Sequence, residues 1–269
     1  PAKAESSALQ KWIMPLFAAR HLKDQQKQLK KLRKASSLFV KEVFAMDLQG
    51  IVNEKGLADH CTITPDPDGE GDATYPEPRK VHIAYESVFG NTGPDYLQSE
   101  VLLEIGARSL FEPTTKAKVK SLVSKNSTID TSVADVDIIS AVPEKTFLEK
   151  AFLLHELFTT NGCPHANRKS RHLYDLMKMM DEPFAQKAVS DDELWSTIHH
   201  HRELFTSIKD VDYTPDIRKR IVLLPPKEVL KVWQDDYKAM QESMIYGEHF
   251  TFEQLISKIE ELQARFRSI

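Results

Sequence analysis

The sequence predicts an α+β fold: a mixed or antiparallel sheet with flanking helices, followed by a helical domain. Three observations carry this. Alternation at period two is confined to the first half, Gly- and Pro-rich turns separate the alternating runs, and beyond Pro143 every periodic segment has helical spacing. The domain boundary is therefore placed there, with residues 1–143 bearing the sheet and residues 144–269 forming a helical C-terminal domain.

Over residues 22–48, Leu29, Leu32, Phe39, Val43 and Phe44 recur at helical spacing, with no Gly or Pro before Gly50, which predicts one amphipathic helix. Its other face is basic: between Arg20 and Lys41, the residues Arg20, Lys23, Lys27, Lys30, Lys31, Arg33, Lys34 and Lys41 stand against the single acid Asp24. Such a face either keeps a surface solvated or tracks the phosphates of an RNA. After Gly56, Thr62, Ile63 and Thr64 change the text, and Pro65, Pro67, Gly69, Gly71, Pro76 and Pro78 then punctuate a long exposed loop. Residues 80–87 and 97–108 alternate apolar with other residues around Gly90, Asn91, Gly93 and Pro94, which predicts two antiparallel strands joined by a wide turn. On the second of these, Val101, Leu103 and Ile105 point one way, while Leu102, Glu104, Gly106 and Arg108 point the other. A carboxylate and a guanidinium thus share a face. A short strand at residues 136–142 stops at Pro143.

From Pro143 a helix runs to Thr159, with Phe147, Ala151, Leu154 and Phe158 as its stripe and a proline suited to a first turn. A loop follows at residues 160–167. The next helix, residues 170–180, turns Leu173, Leu176, Met177 and Met180 inward and carries Arg168, Arg171, His172 and Asp175 as a polar stripe. Helices near residues 192–207, 227–244 and 252–266 complete the half, the last with Leu255, Ile259, Leu262 and Phe266 on its apolar face.

A hydrophobic content of 41% with 28% charged residues excludes disorder as the main state. The longest apolar stretches, residues 151–154 and 221–224, fall far short of the roughly 20 residues that a membrane span needs. Residues 1–17 lack the basic, apolar and small-residue order of a secretory signal, so a cytoplasmic address is expected. Cys61 and Cys163 form no Cys-x-x-Cys pair, which argues against a disulfide scaffold or structural zinc. The net charge of −4 would disfavour nucleic acid if it were evenly spread, but the basic helix shows that it is not.

Several constellations could carry chemistry. Glu104 with Arg108 reads as a metal carboxylate beside a phosphate clamp, because magnesium takes one or two protein carboxylates plus phosphate oxygens; it reads equally as a surface ion pair. Lys150, at the edge of an apolar stripe, could meet a nucleotide phosphate as a point charge or could simply snorkel. Arg171 and Asp175 also have the spacing of an ordinary ion pair within one helix. His199, His200 and His201 are consecutive, about 100° apart on a helix, and cannot jointly ligate one ion. Asp66 and Asp68, like Asp135 and Asp137, are acids one residue apart. The first pair lies in the Pro/Gly loop, the second lacks a Gly-Gly or Gly-Ser turn upstream, and neither dipeptide occurs in the chain.

Order and combination are more specific. Residues 101–109 (VLLEIGARS), then Phe111, Glu112 and Pro113, then residues 142–150 (VPEKTFLEK) with Leu154, His155 and Glu156, then residues 168–176 (RKSRHLYDL), resemble the AbiEii/AbiGii toxin nucleotidyltransferases. Residues 235–240 (DDYKAM) and 252–255 (FEQL) are similar to that family's tail, so the resemblance runs from about Lys27 to the end. It implies the nucleotidyltransferase fold of the DNA polymerase β-like superfamily, and a toxin of a toxin–antitoxin or abortive-infection pair. Such toxins transfer a nucleotide from an NTP to an acceptor, in some members transfer RNA. The resemblance makes Glu104, Lys150 and Asp175 catalytic. Glu104 is then the third metal-site acid, for Mg2+, Lys150 holds the triphosphate, and Asp175 orients Lys150 or acts as base. Arg108, Lys150, Arg171 and His172 bind the nucleotide. The implied partners are an NTP, transfer RNA or another RNA acceptor, and a cognate antitoxin, with no membrane. The family's first motif, a Gly-Gly or Gly-Ser turn with paired acids, is expected upstream of Pro1, so the fold is expected to be incomplete in this chain. The alternative is a catalytically incomplete protein of the same fold that binds RNA or a partner through the basic helix and the helical half.

Overall fold

The computed structural model describes residues 22–67, 79–87, 98–106, 110, 112–121, 135–160, 166–214 and 216–269, with side chains from residue 27 onward. Arg20, Asp68, Arg108, Phe111, Cys163 and the loop at residues 68–78 lie outside the described residues, as do the side chains of Lys23 and Asp24. The fold is α+β, and the chain divides into two compact units, residues 1–109 and 110–269. Pro143, the boundary expected from sequence, falls within the second unit, where its strand pair gives way to helices.

Among the described residues the first unit starts with helix α1 (Leu22–Phe39), a π-helical turn (Val40–Phe44) and helix α2 (Ala45–Glu54), which follow one another without a break. Leu29, Leu32 and Val40 are buried, while Lys27, Lys30, Lys31, Lys34 and Lys41 are exposed on the other side. The expected apolar stripe therefore needs correction: Phe39 and Val43 face solvent, and Val40 takes the inward place. Val40 lies three ordinary helical turns after Leu29, which turns Phe39 aside, and Val43 is displaced by the π turn, in which the Ala45 N–H reaches back five residues to the Val40 carbonyl. The extra residue rotates the next inward position from residue 43 to Ala45. Helix α2 continues through Gly50 and ends on a Schellman closure: Leu57 N–H donates to Val52 C=O and Gly56 N–H to Asn53 C=O, with Gly56 at φ 68°.

Strands β1 (Cys61–Pro65), β2 (Lys80–Tyr85) and β3 (Glu100–Glu104) form an antiparallel sheet in that order. Val81 is buried against Val40 and Ala45, with Ile63, Leu103 and Ile105 packed around them, so the helices cover one face of the sheet. Leu103 and Ile105 point inward as the pleat predicts, whereas Val101, at the far end of its strand, is exposed. The opposite face carries Lys80, His82, Glu100 and Glu104, as the alternation of side chains requires.

The second unit opens with an antiparallel pair, β4 (Thr114–Val119) and β5 (Val136–Ala141), in register from Thr114 opposite Ala141 to Val119 opposite Val136. Helix α3 (Pro143–Thr159) has Pro143 in its first turn and buries Phe147, Leu148, Ala151, Phe152, Leu154 and Phe158. Burying each large side chain contributes roughly 1.5–3 kcal/mol, which makes α3 the axis of the unit. It packs against α4 (Ser170–Met179), α5 (Pro183–Ser190) and α6 (Asp192–Phe205). Asp191 caps α6 by accepting from Leu194 N–H at 3.0 Å. Short 3₁₀ turns (Ile217–Arg220 and Lys227–Val229) lead to α7 (Leu230–Met244) and α8 (Phe252–Arg267). Thr251 and Gln254 cap α8 reciprocally, and Leu255, Ile259, Leu262 and Phe266 are fully buried along it. Phe147 stacks on Phe266 with centroids 5.9 Å apart, closing α3 on α8. No helix among the described residues is long and apolar enough to cross a membrane.

Candidate functional site

Helices α3 and α4 bring the sequence-predicted residues of the second unit together. Lys150 borders the stripe of Phe147, Ala151 and Leu154, so its stem leaves α3 at the rim of the apolar contact. Asp175 likewise flanks the buried Leu173 and Leu176 of α4. The Lys150 Nζ donates to Asp175 Oδ2 at 2.7 Å, the two side chains being 24% and 38% exposed. A lysine that merely snorkelled would leave its ammonium in water; this one meets a carboxylate of the neighbouring helix. Both side chains stay partly open to solvent.

Arg171 and His172 lie one turn before Asp175. Arg171 is exposed, whereas His172 is half-buried and its Nδ1 is buried with no hydrogen-bond partner among the described residues. Burial pushes the His172 pKa down to about 4. The positive charges of Lys150, Arg171 and Lys169 work in the same direction, against an opposing effect of Asp175. At neutral pH the face therefore presents an ammonium, a guanidinium and an uncharged imidazole.

The approach of α4 is fixed at its start. Asp236 on α7 accepts from the N–H of Arg168 at 2.6 Å, the N–H of Ser170 at 2.9 Å and the Ser170 hydroxyl at 2.5 Å. Asp235 next to it forms an ordinary pair with Lys231 at 2.7 Å.

In the first unit Glu104 stands on the outer face of the sheet, its side chain 65% exposed and 3.8 Å from Lys80, which is opposite it in register. On the same face His82 is bracketed by two carboxylates, with Nδ1 2.9 Å from Glu100 Oε2 and Nε2 3.0 Å from Asp66 Oδ1. Both interactions raise its pKa, Glu100 more than Asp66. As for magnesium, no three acids, histidines or cysteines gather as a metal cage among the described residues. Glu104 is a loosely held single carboxylate, which suits an ion that takes most of its ligands from phosphate and water.

Other polar residues serve the core. Glu156, 2% exposed, accepts from the Arg202 Nε at 2.9 Å, again from the Arg202 Nη2, and from the Tyr213 hydroxyl at 2.7 Å. His155 Nδ1 accepts from Val222 N–H, Gln263 accepts from Leu223 N–H, and Arg267 donates to Ile221 C=O. Three side chains thus satisfy a run at residues 221–223 that has no strand partner among the described residues. Glu156 and His155 belong to a motif that the sequence singled out without a role, and burial supplies one. The three histidines of α6 diverge: His199 contacts the Tyr213 carbonyl at 2.9 Å, His200 faces Glu203, and His201 stacks on Phe205.

With this geometry in view, the family model described as nucleotidyl transferase AbiEii toxin, type IV TA system, matches residues 17–258. Neither a curated protein nor a solved structure matches the chain.

Proposed function

This chain belongs to the AbiEii nucleotidyl transferase toxin family of type IV toxin–antitoxin systems, and from that premise we propose that it transfers a nucleotide from an NTP to an RNA acceptor, transfer RNA first among them. In that reaction an acceptor hydroxyl loses its proton to water, its oxygen bonds the α-phosphorus in line, and the α–β bridging oxygen leaves with pyrophosphate. Charge builds on the triphosphate as the bond to pyrophosphate breaks, so prepositioned cations do most of the work.

The observation that carries the proposal is the Lys150–Asp175 pair. A compact ammonium suits a phosphate oxygen as a point charge, and a carboxylate already bonded to it limits its wandering. This supports the orienting role for Asp175 over the role of base. Arg171 offers a fork of donors for phosphate, and neutral His172 offers a hydrogen bond without further positive charge. Glu104 is assigned as a magnesium carboxylate, and Arg108 as a phosphate clamp. Magnesium, when bound, would neutralise charge on the attacking and leaving oxygens.

The exposed Lys27, Lys30, Lys31, Lys34 and Lys41 supply a row of cations for an RNA backbone. An antitoxin and a cytoplasmic site of action complete the reading. The same row favours the second reading, an RNA-binding protein without transfer activity. The test is to incubate the full-length protein with magnesium, total RNA and each of the four labelled NTPs. Label on an RNA species is expected. RNA bound but never labelled, by folded protein, would overturn transfer and leave binding.

A further inference from the structure

Helix α4 carries Arg171, His172 and Asp175, and its first turn has no cap from its own sequence: Lys169 precedes it without a side-chain hydrogen bond. Helix starts leave N–H groups unsatisfied and concentrate partial positive charge, so they attract anions. Here the anion is internal. The Asp236 carboxylate, arriving from α7, takes the Arg168 and Ser170 N–H groups and the hydroxyl of Ser170, which is fully buried. Arg168 itself stands at φ 56°, a left-handed conformation that side chains other than glycine adopt at a cost, so the surroundings must hold it there.

This has two consequences for the polar face one turn away. Asp236 takes the first N–H of α4 and sets a negative charge at that end, which favours the side-chain cations as the holders of a substrate phosphate. The azimuth of α4, and with it the reach of Asp175 to Lys150, is set by a residue that touches neither. We propose that Asp236 is a positioning residue for nucleotidyl transfer, locking α4 so that Asp175 meets Lys150 and His172 stays tucked beside them. The transfer part of this rests on the function proposed above; the locking part does not.

The test uses the full-length protein with Asp236→Ala and Asp236→Asn, the latter keeping one accepting oxygen. Three quantities are read: thermal unfolding, the NMR titration of His172, and the rate of transfer with its KM for NTP. Folded Asp236→Ala should lose roughly 10- to 100-fold in transfer, because misplacement of about 1 Å costs that much, with a smaller loss in Asp236→Asn. The His172 pKa should rise from about 4 toward the ordinary value as α4 loosens and water enters. Removal of a nearby negative charge alone would instead lower it, so the sign separates repositioning from a through-space effect. His172 titrating as in the wild type, or lower, with transfer kept within about twofold in a folded variant, would overturn the proposal. So would a shifted His172 with transfer intact, where Lys150→Ala abolishes transfer. If Asp236→Ala does not fold, Asp236→Asn carries the same comparison. A shifted His172 alongside Lys150→Ala and Asp175→Ala variants that transfer normally would sustain the locking role and refute the proposed function instead.

Discussion

Lys150 and Asp175 are 25 residues apart in the chain and 2.7 Å apart in space, joining the most buried helix of the second unit to the helix that follows it. Ion pairs this accessible contribute only about 0–1 kcal/mol to stability. Stability alone therefore gives little reason for the pair, and substitutions there should separate activity from folding.

Acid should loosen the second unit. Burial lowers the pKa of both His155 and His172 to about 4, so each is neutral in the folded protein. In the unfolded chain each takes up a proton near pH 6.5, so the unfolded state binds more protons between pH 6.5 and 4. Stability is whole above that window and falls as pH falls through it, by on the order of 3 kcal/mol for His155. Urea unfolding at pH 7, 5.5 and 4.5 should show a slope that His155→Gln flattens. An equal slope in wild type and variant would contradict this.

Alkali should loosen the sheet of the first unit. His82 has a raised pKa because Glu100 and Asp66 bond its ring, so the folded state holds the proton more tightly than the unfolded state does. The stabilisation is fully present below pH 6.5 and is lost as pH rises through the raised value. Melting at pH 6 and at pH 8.5 should differ in the wild type by more than in His82→Gln, and NMR should place the His82 titration above 6.5.

Arg202→Ala should be among the most destabilising polar substitutions, costing about 3–5 kcal/mol, because it strands the buried Glu156 carboxylate. Tyr213→Phe should cost about 1.5–3 kcal/mol for one hydrogen bond to a charge. Replacing both partners, as in Glu156→Leu with Arg202→Met, should recover much of the loss. Denaturant midpoints decide it, and a loss under about 1 kcal/mol for Arg202→Ala would show that the carboxylate finds another partner or water.

Replacing Lys27, Lys30, Lys31 and Lys34 with alanine should weaken RNA binding and flatten its salt dependence by up to about 0.7 per lysine, as fewer counterions are released. KM for NTP should stay near the wild-type value. An unchanged salt slope would return the helix to a solvated surface.

Much of the second unit was legible because its period was clean. Pro143 opens α3 where the sequence puts it, and the residues the spacing selects on α3, α4 and α8 are all buried, although α3 also buries Leu148 and Phe152 outside the expected stripe. Helix α5 escaped notice because its buried positions, Ala185, Ala188 and Val189, are small and few. Strand β4 escaped because Thr114–Val119 is mostly exposed on both faces and so shows no apolar alternation. In the first helix the misplacement of Val43 traces to the π turn, a hydrogen-bond choice that residue spacing does not announce, whereas Phe39 was misplaced by passing over Val40, which ordinary spacing sets in line with Leu29. As for the site, Lys150 and Asp175 were named by resemblance, but their bond is a tertiary fact. Asp236 lay in a quoted motif, yet its role depends on which helix end it faces.

The most direct measurement is a double-mutant cycle on transfer kinetics, comparing wild type, Lys150→Ala, Asp175→Ala and the double variant of the full-length protein. If Asp175 works by holding Lys150, each single variant should lose at least about 100-fold in kcat/KM for NTP. The double variant should then be hardly worse than Lys150→Ala, and all four proteins should melt within a few degrees of one another. Transfer that survives in Lys150→Ala, or losses that simply multiply in the double variant, would contradict a site built on this pair.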